Sequence, residues 1–222
     1  MGCSCFSICK ISRPQAVIPD QTGCNRTPSE FKQKSPYFLP ELSKYYEEPQ
    51  IEIDIRQILN QDTKELTMFH ELIKASILTA EKSHHSEEEL DALIYDLYGV
   101  EHLCEKRWNR NWCAFYGGYL DGVLIVAGCL CSLEEDQYSS YPNTLEVMAL
   151  FVHPMFFRKN LGSKMLAHLE TQAKHSSTDP KTSQLYVASA LTSIGFYEKH
   201  GFKRQGLKQF DEEVCMELTK IL

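Results

Sequence analysis

The constraint that most limits how this chain can fold is a proline set just past a long apolar run. Leu145, Val147, Met148, Ala149, Leu150, Phe151 and Val152 form a near-continuous apolar stretch, the pattern of a strand covered on both faces. Pro154 has no amide to donate and biases His153 towards an extended backbone, so the chain must leave its sheet there. Beyond the turn, Leu161, Met165, Leu166 and Leu169 recur at helical spacing. A helix therefore starts inside the segment Phe157-Arg158-Lys159-Asn160-Leu161-Gly162, and its first amides have no intrahelical acceptor. Those donors, the helix dipole and the side chains of Arg158 and Lys159 suit a pyrophosphate.

The segment VHPMFFRKNLGSKML resembles the acetyl-CoA binding motif of the GNAT superfamily of N-acetyltransferases, V-x-P-x-x-[RQ]-x-x-G-x-[GA]. Aligned without gaps, Val152 and Pro154 match, Phe157 falls where Arg or Gln is usual, Asn160 replaces the first glycine and Gly162 keeps the second. Downstream, Phe196-Tyr197-Glu198-Lys199-His200-Gly201-Phe202 is similar to the family's F-Y-x-x-x-G-F element, and Ala190-Leu191-Thr192 resembles its small-residue approach. Glycine suits the first position because the backbone must approach phosphate and can need a positive φ, and Asn is the next most tolerant residue. The loss of Arg or Gln at Phe157 removes a polar side chain but leaves the main-chain amides and the adjacent Arg158.

The resemblance implies an α/β (mixed α+β) GNAT fold, a central twisted mixed sheet flanked by helices, with splayed strands forming the acetyl-CoA cleft. It implies acetyl-CoA as co-substrate, held by Leu150, Phe151 and Val152 along the central strand and by Phe157, Arg158, Lys159, Asn160, Leu161, Gly162 and Ser163 in the turn. It implies an acyltransferase of the EC 2.3.1 type, with direct attack by a primary amine of a small molecule, peptide or protein. Such attack needs a deprotonated amine, donors for the oxyanion and a proton for the thiolate. Tyr197 occupies the family position that faces the CoA sulfur; packing beside Phe196 is its structural alternative. Glu146 is the candidate base, because an acid inside an apolar strand is costly unless used and burial brings carboxylates into a useful pKa range; a solvated flank or a Lys partner is the alternative. YEKHGF with ASALTS is most similar to bacterial-type small-molecule acetyltransferases. A catalytically degenerate, membrane-tethered scaffold of the same fold is the rival reading.

Composition narrows the partners. A chain of 222 residues with 43% apolar content can build one ordinary domain with an appendage. A formal charge of -7 argues against nucleic acid and fits a cationic amine. Nine cysteines with no CxxC and no signal-peptide core point away from a disulfide framework, so Cys129 and Cys131 read as small buried residues in a reducing, cytoplasmic compartment. His84 and His85 lack a third ligand at a telling spacing, so no metal is expected.

The N-terminus carries a second signal. Removal of Met1 would expose Gly2 for myristoylation, with Cys3 and Cys5 placed for palmitoylation, although Phe6 stands where Ser or Thr is usual. One myristoyl group binds membrane with a partition constant on the order of 10⁴ M⁻¹, so anchoring on the cytosolic face would need a second chain. A plain tail with incidental cysteines is the alternative. Residues 10 to 50 hold six of the nine prolines, which predicts a flexible tail over 1–49 and an N-acetyltransferase domain over 50–222. Tyr37, Phe38, Leu39, Tyr45 and Tyr46 are placed to pack on that domain as an arm. The sequence is silent on oligomeric state.

Local patterns predict the remaining elements. Ile51 to Arg56 alternates as a strand, Asp62 and Glu65 open a helix with a stripe from Leu66 to Ile77, and Ser86 opens a second that Gly99 ends. Trp112–Leu120 and Val123–Cys131 flank Asp121-Gly122, a hairpin signal. Gln184–Ser189, a helix near 193–199, and strands at 204–210 and 214–218 complete the chain.

Overall fold

Period-2 and period-3.6 stretches become strands and helices nearly where the sequence places them. The structure, a computed structural model, describes residues 37–48, 50–58, 63–81, 86–105, 113–133, 140–175, 182–210 and 213–222. Its elements are β1 (Asp54–Ile58), α1 (Thr63–Glu81), α2 (Glu87–Tyr98), α3 (Val100–Glu105), β2 (Cys113–Leu120), β3 (Val123–Ser132), β4 (Thr144–Val152), α4 (Leu161–His175), β5 (Gln184–Ser189), α5 (Ile194–Lys199), β6 (Lys203–Phe210) and β7 (Glu213–Ile221). The fold is the expected mixed α/β type: one seven-stranded sheet in the order β1-β2-β3-β4-β5-β7-β6.

Every neighbouring pair is antiparallel except β4 and β5. Asp121 and Gly122 take φ of 49° and 79° between β2 and β3, the left-handed pair that a two-residue hairpin needs. The first strand starts later than its alternation suggests, at Asp54. Its ladder with β2 begins at Asp54↔Tyr119, one residue before β2 ends at Leu120 and the chain turns at Asp121. Helix α3 had no sequence signature, since six residues are too few to show a period.

Each face of the sheet is covered. On one, Leu66, Phe69, Ile73 and Ile77 of α1, Leu90 and Ile94 of α2 and Leu103 of α3 pack on Phe115, Cys129, Met148 and Phe151. Phe69 and Phe115 meet edge to face at 5.2 Å. On the other, Leu161, Met165, Leu166 and Leu169 of α4 pack on Leu130, Leu145, Val147, Leu185 and Leu218. Leu42, from a 3₁₀ turn at Pro40–Tyr45, is fully buried in that second cluster, so the folded body takes in part of the arm. Cys113, Cys129, Cys131 and Cys215 are buried and outside any disulfide, and the Cys113 and Cys129 thiols lie 3.0 Å apart across β2 and β3. Among the described residues, no helix is long and apolar enough to cross a membrane.

Gly2, Cys3, Cys5, His84 and His85 lie outside the described residues, as does most of the 1–49 segment.

Candidate active site

The site begins where two strands part. β4 and β5 pair in parallel only from Thr144/Gln184 to Glu146/Tyr186. From Val147 onward no described strand pairs with the β5-facing edge of β4, although β4 continues to Val152. The opposite edge stays paired with β3, with a register shift between Ala127 and Cys129 that sets Ala149 and Leu150 against Gly128. Ala149 takes a φ of 54° within this irregularity. A left-handed alanine in a central strand costs about 1–2 kcal/mol and accompanies the local break in the β3–β4 ladder. No sequence pattern marks Ala149 for this role.

The turn that follows has the geometry of an anion cradle. His153 caps a 3₁₀ turn at Pro154–Phe156: its Nδ1 accepts from the Met155 amide at 3.3 Å, and its own amide donates to Ile125 at 2.8 Å. Burial holds the His153 imidazole down to a pKa of about 4, so it is neutral and structural near pH 7. Arg158 and Asn160 take φ of 64° and 62°, as the tolerance of Asn for a glycine position anticipates. The first hydrogen bond of α4 runs from the Lys164 amide to the Asn160 carbonyl at 3.1 Å. The amides of Leu161, Gly162 and Ser163 thus precede the helical ladder.

Each candidate cofactor residue has a definite place. Phe151 turns its ring to the helical layer, edge to face with Tyr98 at 5.6 Å, so only its main chain is available to a ligand. Leu150, Val152 and Phe157 are half-buried, Leu161 is core, and Arg158 and Asn160 are exposed. Lys159 is already engaged: its Nζ donates to the Glu48 carbonyl at 2.9 Å. A Cβ on Gly162 would lie 3.5 Å from the Phe196 ring, which brings the two motif segments together.

Tyr197 and Glu146 lie near enough to influence each other electrostatically. Tyr197 of α5 is buried among the α4-side core, with Phe196 at 5.1 Å and Phe202 at 5.4 Å edge to face. Burial first, and the Glu146 carboxylate second, push the Tyr197 pKa well above the ordinary phenol value. Glu146 is 2% exposed, in the last paired position of β4, beside Tyr186. Leu145 and Val147 face α4, so alternation sends Glu146 to the other face. The alternative of a solvated flank gives way to burial at the last paired position of β4.

A constellation that the sequence did not suggest lies beside Glu146, centred on Glu217. The Tyr186 hydroxyl donates to Glu217 Oε1 at 2.8 Å and the Tyr141 hydroxyl to Oε2 at 3.2 Å. Lys208 stands 3.7 Å from Oε1. Burial leads in raising both tyrosines, with carboxylate charge adding to it. Strand alternation could have placed Tyr186 and Glu217 on a common face only if the pairing of β5 with β7 were known. No group of three or more His, Cys, Asp or Glu is placed to hold a metal among the described residues.

The family model "Acetyltransferase (GNAT) family" matches residues 71–202. Among solved structures, the chain is similar to the PaiA N-acetyltransferase from Thermoplasma acidophilum in complex with coenzyme A, at 21% identity and a TM-score of 0.59 over 75% of this chain and 98% of that one. It is similar also to a GCN5-related N-acetyltransferase from Rhodopseudomonas palustris, at 18% and 0.58 over 78% and 98%. A GNAT-family acetyltransferase from Staphylococcus aureus aligns at 15% and 0.52 over 77% and 99%. Comparison with curated proteins finds no match.

Proposed function

Since this chain belongs to the GNAT acetyltransferase family, we propose that it is an acetyl-CoA-dependent N-acetyltransferase acting on a primary amine of a small molecule, peptide or protein. The observation that carries this reading is the end of β4–β5 pairing at Glu146/Tyr186, with the α4 turn at the open end of the same cleft. The amides of Leu161 to Ser163 would hold the pyrophosphate, and the open β4 edge would hold the pantetheine arm. Acetyl-CoA supplies the activated thioester; the protein supplies position and protons.

Glu146 takes the proton of the incoming ammonium, directly or through water, which frees the nitrogen lone pair for the carbonyl carbon. Main-chain amides beside the Ala149 irregularity would donate to the developing oxyanion. The C–S bond breaks as the C–N bond completes, and Tyr197 gives its hydroxyl proton to the departing thiolate. A phenol held neutral by burial keeps that proton for this step.

The rival reading, a membrane-tethered scaffold that keeps the fold without turnover, draws on two features of the turn: Phe157 brings no polar group, and Lys159 is tied to Glu48. Titration calorimetry with coenzyme A and intact-mass detection of transfer across an amine panel separate the two. Transfer by wild type and its collapse in Tyr197→Phe supports the enzyme; bound coenzyme A without any transfer supports the scaffold. The location we propose is cytoplasmic, with acylation at Gly2 and at Cys3 or Cys5 bringing the protein to the cytosolic membrane face. Equal membrane partition of wild type and Gly2→Ala in a myristoylating cell would sink that part.

A further inference from the structure

The segment ahead of β1 is fastened at both ends and reaches the cofactor turn between them. Leu42 is fully buried and Ile51 is 1% exposed, both in the core under α4. At the β2–β3 hairpin, the Tyr45 hydroxyl donates to both carboxylate oxygens of Asp121, at 3.0 and 2.9 Å. Lys44 Nζ stands 2.9 Å from Asp121 Oδ2. Between these fastenings, the Glu48 carbonyl accepts from Lys159 Nζ at 2.9 Å, with the Tyr46 ring 5.8 Å from the same ammonium. The Ile51 carbonyl accepts from Lys164 Nζ at 2.6 Å. Both lysines of the turn and of the first turn of α4 are therefore drawn onto the negative ends of arm peptide groups.

We propose that this arm is an inhibitory strap, which competes with the phosphates of coenzyme A for the Lys159 ammonium. The inference rests on the cofactor reading given above. An ammonium held by the Glu48 carbonyl and the Tyr46 ring must leave that position to meet a phosphate at the mouth of α4. A ligand that binds only after the contact breaks is weakened by the free energy of breaking it, and by reciprocity coenzyme A must loosen the arm. Lys164, half-buried and held at 2.6 Å, keeps the Ile51 end of the strap fixed. The Asp121 latch is the movable end, because Lys44 and Asp121 are exposed.

The test opens the latch without touching the turn. Tyr45→Phe with Asp121→Asn removes the ion pair and the hydroxyl bond, and Asn keeps the left-handed conformation that Asp121 holds at φ 49°. Lys44→Ala, an exposed change, is a milder second variant. Coenzyme A binding is measured by calorimetry in wild type, latch variants, Lys159→Ala and the combination. The expected result is roughly two- to fivefold tighter binding on opening the latch, the scale of an exposed charged contact, and no gain where Lys159 is absent. Coenzyme A should also speed protease cleavage within residues 37–48. Unchanged or weaker binding in the latch variants, or a gain that survives Lys159→Ala, overturns the strap while leaving the cofactor reading intact. Absence of coenzyme A binding in every folded variant overturns both.

Discussion

Gly162 and Phe196 face each other so closely that a Cβ on the glycine would lie 3.5 Å from the ring, with Val152 Cγ2 at 3.6 Å. This joins the first turn of α4, the end of β4 and the start of α5 at one point. A methyl group fits at ordinary contact distance and a larger side chain does not. Gly162→Ala should hold or raise thermal stability, since a helical glycine costs roughly 0.5–1 kcal/mol relative to alanine. Gly162→Leu should lower stability and weaken coenzyme A binding together, as its branches drive Phe196 away. Melting curves and calorimetry on both variants check this.

Asn160 separates the chemistry of its side chain from the shape of its backbone. With φ at 62°, Asn160→Gly should leave coenzyme A binding equal or tighter. Asn160→Val should cost at least about 1–2 kcal/mol in denaturant unfolding, the price of a left-handed L-residue without a small polar side chain. Equal stability of the two variants would contradict the backbone reading.

In the proposed mechanism Tyr197 and Glu146 act on different protons, so their variants should fail differently with pH. Tyr197→Phe should lower kcat by about 10²-fold with little change in KM for acetyl-CoA. The wild-type rate should show no loss from Tyr197 ionisation between pH 7 and 9, because burial and Glu146 hold the phenol protonated there. Glu146→Gln should lower kcat/KM most at neutral pH and least at alkaline pH, where the acceptor amine is already deprotonated. Steady-state pH profiles of the three proteins decide the point.

His153 links stability to acid. Its folded pKa of about 4 lies below the unfolded value near 6.5, so the unfolded chain binds the extra proton as pH falls. Stability from this group is complete above about pH 6.5 and is lost on descending to about pH 4, by up to roughly 3 kcal/mol. His153→Asn keeps an acceptor for the Met155 amide but cannot titrate. Urea unfolding at pH 7 and pH 5 should show a smaller drop for the variant than for wild type.

Much of the molecule was legible from residue patterns because those patterns obey local rules. Asp121-Gly122 fixed a hairpin through its positive φ values, Pro154 ended β4 by lacking an amide, and Leu161, Met165, Leu166 and Leu169 declared a helix by their spacing. The position of the turn between β4 and α4 followed from a strand end meeting a helix start. Asn160 could stand for glycine because both tolerate the left-handed region.

What only the tertiary structure decided depends on partners distant in the chain. The sequence could not say that β4 and β5 pair for three residues and then part, nor that β7 lies between β5 and β6 and so brings Glu217 to Tyr186. It marked Glu146 as an oddity, but whether that carboxylate faced water or the foot of the cleft depended on the register of its neighbours. Lys159 read as a cation for phosphate until the fold laid the Glu48 carbonyl against it. Periodicity and turn chemistry act over a few residues, whereas strand pairing and side-chain partners are settled by packing between segments that sequence alone leaves unassigned.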